Sequence, residues 1–409
     1  MEEQLLWEEV RCPIVGHGQT QKERAPERRS HHSTVLFSEK MYVFGGEGRV
    51  GNKLSDLWVY KMEDDHWDAQ RTERRRNEDK LVPRSHHSAF IHGDSMVVFG
   101  GQAEDQRPLG DLWSLELNDH VWSRLTVAAP PDPRHSHTAV AFENTAVIFG
   151  GASGTRALED TCVLVMAATP TWSYVQGPGP QARYSHAAVP CGGDQMLIFG
   201  GVSDDQGKLN DLWELQVSKQ RWIRVDTVGI SPSPRSGHAL GVHGAVIVLF
   251  GGTLESNCTE SNELFYFNRK SATWKLKHGQ LEVSLGSQRW GDQGSETVDE
   301  AEEAKPSEEA ARRRRLRAVT RPQHCVDGMS QFGVVFAAQV FGCGAELGLT
   351  HGVGLGVQAA MTTRALERIE GTAPCGRGGH SAIVHDGVLF VFGGDRGRRK
   401  LNDTFTLKV

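Results

Sequence analysis

One short motif, an apolar run that ends in Phe-Gly-Gly, recurs six times in this chain of 409 residues and limits the folds open to it. The first five copies lie 50 to 55 residues apart. Copies at such a period indicate a repeat architecture, in which each unit buries its apolar surface against its neighbours. The second glycines of the copies are Gly46, Gly101, Gly151, Gly201, Gly252 and Gly394.

Three further elements keep nearly fixed offsets from these glycines. An acidic residue with an apolar run follows each pair, as in SDLWVY at Asp56 and GDLWSL at Asp111. With Phe-Gly-Gly, each unit has four elements. The segments around them are short, either apolar or alternating between apolar and polar residues, and turn residues separate them. This pattern predicts four strands per unit and no helix. An Arg-x-x-His element precedes each pair, with Arg29, Arg84, Arg134, Arg183, Arg235 and Arg377. A tryptophan follows at Trp67, Trp122, Trp172, Trp222 and Trp274.

The order of these elements carries a family resemblance. A four-stranded unit cannot bury both faces alone, and a ring of units leaves no sheet bare. Arg-x-x-His, Phe-Gly-Gly, Asp-Leu-Trp and a later tryptophan resemble the kelch repeat, whose family folds as a β-propeller with one repeat per blade. The resemblance implies an all-β, kelch-type propeller and a single domain over residues 1–409. The family includes adaptors, scaffolds and a few enzymes, so fold alone does not give the function.

The chain ends predict how the ring closes. Only 15 residues follow Gly394, too few to hold a tryptophan at the repeated offset, while Trp7 precedes the first complete unit. We therefore expect a strand within residues 1–12 to complete the C-terminal blade.

The sequence is compatible with either seven or six blades. The sequence VFGCG ends at Gly344, 50 residues before Gly394, and Leu366 then stands at the tryptophan position. These spacings favour a degenerate blade over residues 321–376 and hence seven blades, with six as the alternative.

Residues 279–320 have a composition unlike the repeats. Between residues 291 and 310 there are eight acidic residues and one lysine, and ARRRRLR follows at 311–317. Such a segment has too little apolar surface to offset its ordering entropy, so we expect a disordered acidic and Arg-rich insert. The arginine run at 312–317 fits a nuclear import signal, a clamp for an acidic partner, or a solvated charge run.

Composition limits the cellular compartments and the classes of binding partner expected for this chain. A formal net charge of -6 argues against a chain built as a whole to coat nucleic acid or a membrane. The start, MEEQLLWEEV, lacks the features of a secretory signal, and the seven cysteines include no C-x-x-C pair. We therefore expect the cytoplasm, with the nucleus as an alternative. No BTB, F-box-like or coiled-coil region accompanies the repeats in this sequence.

Catalytic and metal-binding patterns are scarce. One histidine per blade places the repeated histidines too far apart to share a metal, and no common nucleophile, phosphate-loop or zinc-protease motif occurs. We predict no enzyme activity, no cofactor and no metal site. The alternative is a small-molecule enzyme at the channel mouth, such as the sugar mutarotases found among kelch propellers.

Strand direction predicts a binding face. If strands alternate in direction, the Arg-x-x-His loops and the loops after Gly-Gly open on one side of the ring. Arginines suit bidentate recognition of carboxylates or phosphates. We therefore predict a protein-interaction platform that binds a partner, such as an acidic or phosphorylated peptide, on this side. The alternative for the repeated arginines is pairing with a neighbouring backbone group or acid. The predicted partner-binding residues are Arg49, Arg107, Arg156 and Arg396, with the repeated Arg29, Arg84, Arg134, Arg183, Arg235 and Arg377.

Overall fold

A computed structural model describes residues 6–10, 25–75, 80–256, 258–278 and 372–409. These residues form strands, turns and loops, and no helix occurs among them. Nothing in this part of the chain forms a helix long and apolar enough to cross a membrane. The predicted insert at 279–320 and most of the predicted degenerate blade at 321–376 lie outside the described residues.

Each sequence repeat folds as one antiparallel sheet, a propeller blade, whose strands we name A to D from the channel outward. Blade 1 consists of Ser33–Phe37, Lys40–Glu47, Lys53–Lys61 and His66–Gln70. Blade 2 consists of Ser88–His92, Ser95–Gln102, Pro108–Glu116 and Val121–Leu125. Blade 3 consists of Thr138–Phe142, Thr145–Phe149, Thr161–Val165 and Thr171–Tyr174. Blade 4 consists of Ala187–Pro190, Gln195–Ser203, Gly207–Gln216 and Arg221–Arg224.

Blade 5 consists of Ala239–His243, Val246–Phe250, Leu264–Asn268 and Thr273–His278. Blade 6 consists of Ser381–His385, Val388–Phe392, Thr404–Lys408 and Trp7–Glu9.

Short strands add to this pattern. Glu73–Arg74 and Val228–Gly229 pair in parallel with the outer edges of blades 2 and 5. Two hairpins have strands of only two residues: Ala152–Ser153 pairs with Arg156–Ala157, and Asp395–Arg396 pairs with Arg399–Lys400. A third such ladder joins Arg235–Ser236 to Thr253–Leu254.

Six blades close the ring. Each A strand packs beside the A strand of the next blade, and that of blade 6 packs against those of blades 5 and 1. A circle of six backbone hydrogen bonds surrounds the axis, from the N–H of His31 to the carbonyl of Gly379 at 2.7 Å and so on from blade to blade. Because this circle is complete, the preference for seven blades is wrong and the alternative of six is confirmed.

The spacing that suggested a seventh blade was misleading for a physical reason. The segment near Gly344 repeats the period, but it lacks the arginine, the histidine and the tryptophan that join one blade to the next. Blades 5 and 6 already meet directly, so a further sheet has no place between their A strands.

The N-terminal strand completes blade 6, as predicted. Trp7 pairs with Leu407 in an antiparallel ladder, and the N–H of Val10 donates to the carbonyl of Thr404 at 2.9 Å. The Trp7 side chain is 2% exposed, and its ring centroid lies 5.2 Å from that of Phe250 in blade 5. The N-terminal and C-terminal strands therefore share one sheet, and their pairing closes the ring.

The Phe-Gly-Gly motif joins neighbouring blades. Gly46 has a φ of 102°, and a Cβ there would lie 2.8 Å from the carbonyl oxygen of Ser30. Only glycine fits such a backbone without strain. The preceding Phe44 lies fully buried, with its ring centroid 5.0 Å from that of Trp122 in blade 2. Apolar clusters of this kind fill the interfaces between blades.

Candidate functional site

The candidate site is the end of the propeller at which each A strand begins and each B strand ends, here called the loop face. Because neighbouring strands of a blade run antiparallel, the B–C and D–A connections both lie at this end. Counted from the residue after Gly-Gly, and including the strand ends that border them, the B–C connections cover residues 47–53, 102–108, 152–160, 202–208, 253–256 with 258–263, and 395–403.

The six repeated arginines lie buried behind the loop face. Arg84 donates from Nη1 and Nη2 to the two oxygens of Asp111 at 2.7 and 2.8 Å, and from Nη1 to the carbonyl of Gly100 at 3.0 Å. The repeated arginines are all 0% exposed. They cannot touch a docked partner in this structure, which corrects their assignment to the partner-binding set. The other pairs are Arg29 with Asp56, Arg134 with Asp160, Arg183 with Asp211, Arg235 with Glu263, and Arg377 with Asp403.

Four of the paired carboxylates, those of Asp56, Asp111, Asp160 and Asp211, have a pKa below the usual value of an aspartate. Burial alone would raise the pKa of Asp111, but the hydrogen bonds and charge of Arg84 outweigh it and place the pKa below its usual value. Trp113 Nε1 also donates to this carboxylate at 2.7 Å. In blade 3, Cys162 Sγ replaces the indole and lies 3.2 Å from Asp160 Oδ2. The sequence EDTCVL at residues 159–164, which departs from Asp-Leu-Trp, therefore keeps the same arrangement.

The repeated histidines occupy the interfaces between blades. His87 Nε2 lies 2.8 Å from Ser33 Oγ of the preceding blade, and His32, His137 and His186 have equivalent hydroxyl partners. Burial, followed by the nearby Arg84, lowers the pKa of His87 to about 3, so its ring stays neutral. Among the described residues, both ring nitrogens of His238 and His380 lack a partner. Ala187 and Ala239 stand where the other blades place a hydroxyl.

Several arginines that the repeat does not explain are exposed on the loop face, and four of them lie in four different blades: Arg49, Arg107, Arg156 and Arg396. They belong to the B–C connections of blades 1, 2, 3 and 6, which are consecutive because blade 6 adjoins blade 1. We call these four residues the arginine arc. The Arg107 side chain is 61% exposed and lies 3.6 Å from Asp105, an ion pair that is worth little in water.

Some acidic residues of the B–C connections join one blade to the next. Backbone N–H groups donate to Glu104 from Lys53 at 2.7 Å, and to Asp204 from Ala157 at 2.9 Å. Lys208 donates in the same way to Glu255 at 3.2 Å. The loop face is therefore mixed in sign: acids lie in the connections of blades 2, 4 and 5, and the connection of blade 2 also carries Arg107 of the arginine arc.

An ion-pair cluster at the channel mouth was missed by sequence reasoning. Glu47 accepts from Lys53 Nζ at 2.6 Å and lies 2.8 Å from Lys400 Nζ, which joins blade 1 to blade 6. Lys400 also contacts Asp395 at 3.2 Å. Burial opposes ionisation of Glu47, but the two lysines prevail and lower its pKa to about 2. The available signal was an acid directly after Gly-Gly in just these two copies, each followed by a lysine before a leucine.

The channel offers little to a small-molecule enzyme. The rings of His31 and His86 stack with centroids 3.8 Å apart, beside a cavity of about 160 Å³ lined by the interface histidines. Glu47 and Asp395 are both bonded to lysine, so neither is poised as a base. In the part of the chain that the structure describes, no three His, Cys, Asp or Glu side chains converge to hold a metal ion.

Comparison with known families decides the identity of the repeats. The model described as the KLHDC2/KLHL20/DRC7 Kelch-repeats domain matches residues 70–179 and 168–285, which is more than half of the chain. The Kelch motif model matches residues 28–70. The chain belongs to the kelch-repeat family.

Curated kelch relatives are much longer proteins. The chain is 28% identical over 264 residues to the leucine-zipper-like transcriptional regulator 1 homolog of Drosophila melanogaster, covering 61% of this chain and 26% of that protein. It is 28% identical over 260 residues to acyl-CoA-binding domain-containing protein 4 of Arabidopsis thaliana, covering 61% and 38%. For host cell factor 2 of Homo sapiens the identity is 26% over 309 residues, covering 69% and 37%.

The kelch chain therefore spans about a quarter to two fifths of the length of these relatives. The matches support a role in protein interaction and leave the partner open.

Proposed function

We propose that this kelch propeller is a non-catalytic protein-interaction platform, an adaptor or scaffold that docks a partner protein on the loop face. The arginine arc is the observation that carries the proposal. Its side chains are exposed on four consecutive blades, whereas the arginines that the repeat requires are buried in ion pairs. Guanidinium groups bind carboxylate or phosphate in a bidentate manner, so the partner segment is an acidic or phosphorylated peptide.

The scaffold supports this use of the loops. Binding residues on loops are effective when a rigid framework positions them. Here Glu104 joins the connections of blades 1 and 2, Asp204 joins those of blades 3 and 4, and the ion pair of Glu47 with Lys400 joins those of blades 1 and 6. Each member of the arginine arc therefore belongs to a connection that is held by its neighbour.

We also propose a cytoplasmic location, with entry into the nucleus as an alternative. Cys162 and Cys191 are free, buried thiols, in keeping with a reducing compartment. Imaging of a fluorescent fusion tests the location, and a lumenal or extracellular signal would contradict it.

Affinity capture tests the platform. The wild-type chain and a variant with Arg49, Arg107, Arg156 and Arg396 changed to alanine are compared by quantitative mass spectrometry of captured proteins. We expect specific partners to be lost from the variant, since the exposed cations that would hold them are gone.

The matched control removes cations from the opposite face. Lys219→Ala with Lys270→Ala changes two exposed C–D turns and should leave the captured proteins unchanged. Thermal unfolding must show that all three proteins are folded. Equal recovery of partners by the arginine variant and the wild type would refute docking through the arc.

A further inference from the structure

A pocket on the loop face between blades 3 and 4 combines an exposed aromatic ring with an exposed carboxylate. Its volume is about 560 Å³, within the usual range of roughly 300 to 1,000 Å³ for ligand pockets. Tyr174 lines it and is 39% exposed, and Glu159 lines it and is exposed as well. We call it the tyrosine pocket. Its other lining residues are Asp160, Thr161, Trp222 and residues 175–180.

The walls of the tyrosine pocket are held by contacts between the two blades. Trp222 Nε1 donates to Thr161 Oγ1 at 3.0 Å, which fixes the indole of blade 4 against blade 3. Residues 177–181 have the sequence GPGPQ, in which the prolines limit backbone freedom. A Cβ at Gly179 would lie 2.9 Å from Cδ1 of Trp222, so the backbone of this segment packs directly on the indole. The pocket is therefore part of the packed framework.

The lining of the tyrosine pocket carries a negative charge. Both carboxylate oxygens of Asp160 bind the buried Arg134, so that ion pair is close to neutral as seen from the pocket. Among the residues that the structure describes, none forms a hydrogen bond or ion pair with the Glu159 carboxylate, and no lysine or arginine lines the pocket. The charge of Glu159 is therefore available to a ligand, with the exposed Arg156 of the same connection as a partial counterweight.

Tyr174 also has acidic neighbours. Burial raises the pKa of Tyr174 most, followed by the nearby Cys162. Asp160 and Asp132 raise this pKa further, against the opposing charge of the buried Arg134. The hydroxyl therefore stays protonated, and the ring presents a neutral aromatic face beside carboxylates, which suits a cation.

The corresponding pocket between blades 2 and 3 shows that the repeat requires neither residue. Its volume is only about 170 Å³, and Gly110 and Arg124 line it where Glu159 and Tyr174 line the tyrosine pocket. In the whole sequence, no other repeat has an acidic residue directly before the paired acid or a tyrosine two positions after the tryptophan. The lining residues that correspond in the two pockets are Asp111 and Asp160, Leu112 and Thr161, Leu125 and Val175, and Trp172 and Trp222.

We propose that the tyrosine pocket binds an arginine side chain of a partner protein docked on the loop face. The guanidinium would pair with the carboxylate of Glu159 and lie against the ring of Tyr174, since its planar fork matches a carboxylate and stacks on aromatic faces. The inference rests on the proposed platform function and narrows its partner. Because Glu159 and Arg156 belong to the same connection, that partner would present an arginine next to its acidic segment.

Fluorescence anisotropy with the full chain tests the tyrosine pocket. The probe is a fluorescein-labelled peptide of repeated Gly-Arg-Ser units, compared with Gly-Lys-Ser and Gly-Gln-Ser versions. Glu159→Gln should weaken binding of the Arg peptide about tenfold, because charge-assisted hydrogen bonds to the guanidinium are lost. Tyr174→Leu should weaken it about threefold, because a cation–π contact is removed while an apolar side chain remains.

Two matched controls accompany these variants. Tyr174→Phe keeps the aromatic ring and should bind the Arg peptide within about twofold of the wild type. Asp105→Asn removes an exposed acid from the connection of blade 2 and should also change affinity by less than about twofold. If Tyr174→Leu fails to fold, Glu159→Gln decides the test. Absence of Arg-peptide binding, equal losses for Glu159→Gln and Asp105→Asn, or equal binding of the Lys peptide would each overturn the proposal.

The two proposals fail in different experiments. The pocket variants keep all four arginines of the arc. If Glu159→Gln binds the Arg peptide like the wild type while the arc variant loses captured partners, the pocket fails and the platform stands. If the arc variant keeps its captured partners, the platform fails whatever the peptide does.

Discussion

At the residue scale, position within the repeat decides what an arginine does. Arg84 is fully buried and bound to Asp111, whereas Arg107, in the B–C connection of the same blade, is 61% exposed. Removing one partner of a buried ion pair typically costs about 3–5 kcal/mol. The repeated arginines therefore stabilise the fold, and the non-repeated ones are available for binding.

The interface histidines give a prediction at the same scale. Ala239→Ser places a hydroxyl where other blades bond the histidine, next to His380, whose ring nitrogens lack a partner. A hydrogen bond to a formerly unsatisfied buried group should raise the free energy of unfolding by about 1 kcal/mol. Urea unfolding measures this difference.

The reverse substitution is the control for that prediction. Ser33→Ala removes the partner of His87 and should lower the free energy of unfolding by a similar amount. If Ala239→Ser destabilises the protein, His380 does not accept a hydroxyl there and the account of the histidine interfaces is wrong.

The sequence held more information about these residues than their type alone. Arg84 and Asp111 lie 27 residues apart, as do Arg29 and Asp56, and the other pairs lie 26 or 28 residues apart, so a nearly constant offset marked the ion pair. What the sequence could not show was burial, because an arginine in a loop motif suits either a solvated surface or an internal pair. The cluster of Glu47, Lys53 and Lys400 escaped notice because its members meet only when the first and last repeats become neighbours.

At the element scale, the N-terminal strand joins the two ends of the chain. Trp7→Ala should lower the free energy of unfolding by about 3–5 kcal/mol, because it leaves a cavity between blades 5 and 6. Glu8→Ala, which alters an exposed residue of the same strand, should change it by less than about 0.5 kcal/mol. Equal small effects in urea unfolding would mean that this strand does not hold the ring closed.

Strand pairing at the chain ends could be predicted, but the blade count could not. A missing tryptophan at one end and an extra Trp7 at the other left a single consistent pairing. The interval from Gly252 to Gly394 admitted either count, since spacing alone does not tell a blade from an insertion. The backbone circle through His31 and Gly379, which closes at six members, depends on contacts that no local pattern encodes.

At the scale of the whole molecule, the ring of neutral histidines makes stability depend on pH. Burial lowers the pKa of His87, His186 and His380 from 6.5 to about 3. The unfolded chain therefore binds more protons below about pH 6.5, and stability, complete above that value, falls as pH approaches 3. Each such histidine contributes roughly 1.4 kcal/mol per pH unit in this interval.

Urea unfolding at pH 7.5 and pH 5 measures this effect. We expect a clearly lower midpoint at pH 5, which lies above the pKa of about 4 at which carboxylates of the unfolded chain begin to bind protons. His87→Gln should reduce the pH dependence by one proton. Equal stability at both pH values would show that the histidines are not held neutral.

In the proposed function, a partner docks on the loop face through cations that the repeat does not use. Hydrogen–deuterium exchange of the purified chain, with and without a captured partner, tests it most directly. We expect slower exchange in the B–C connections at 47–53, 102–108, 152–160 and 395–403, with the A–B and C–D turns unchanged. Protection confined to the turns at the opposite end of the propeller would contradict it.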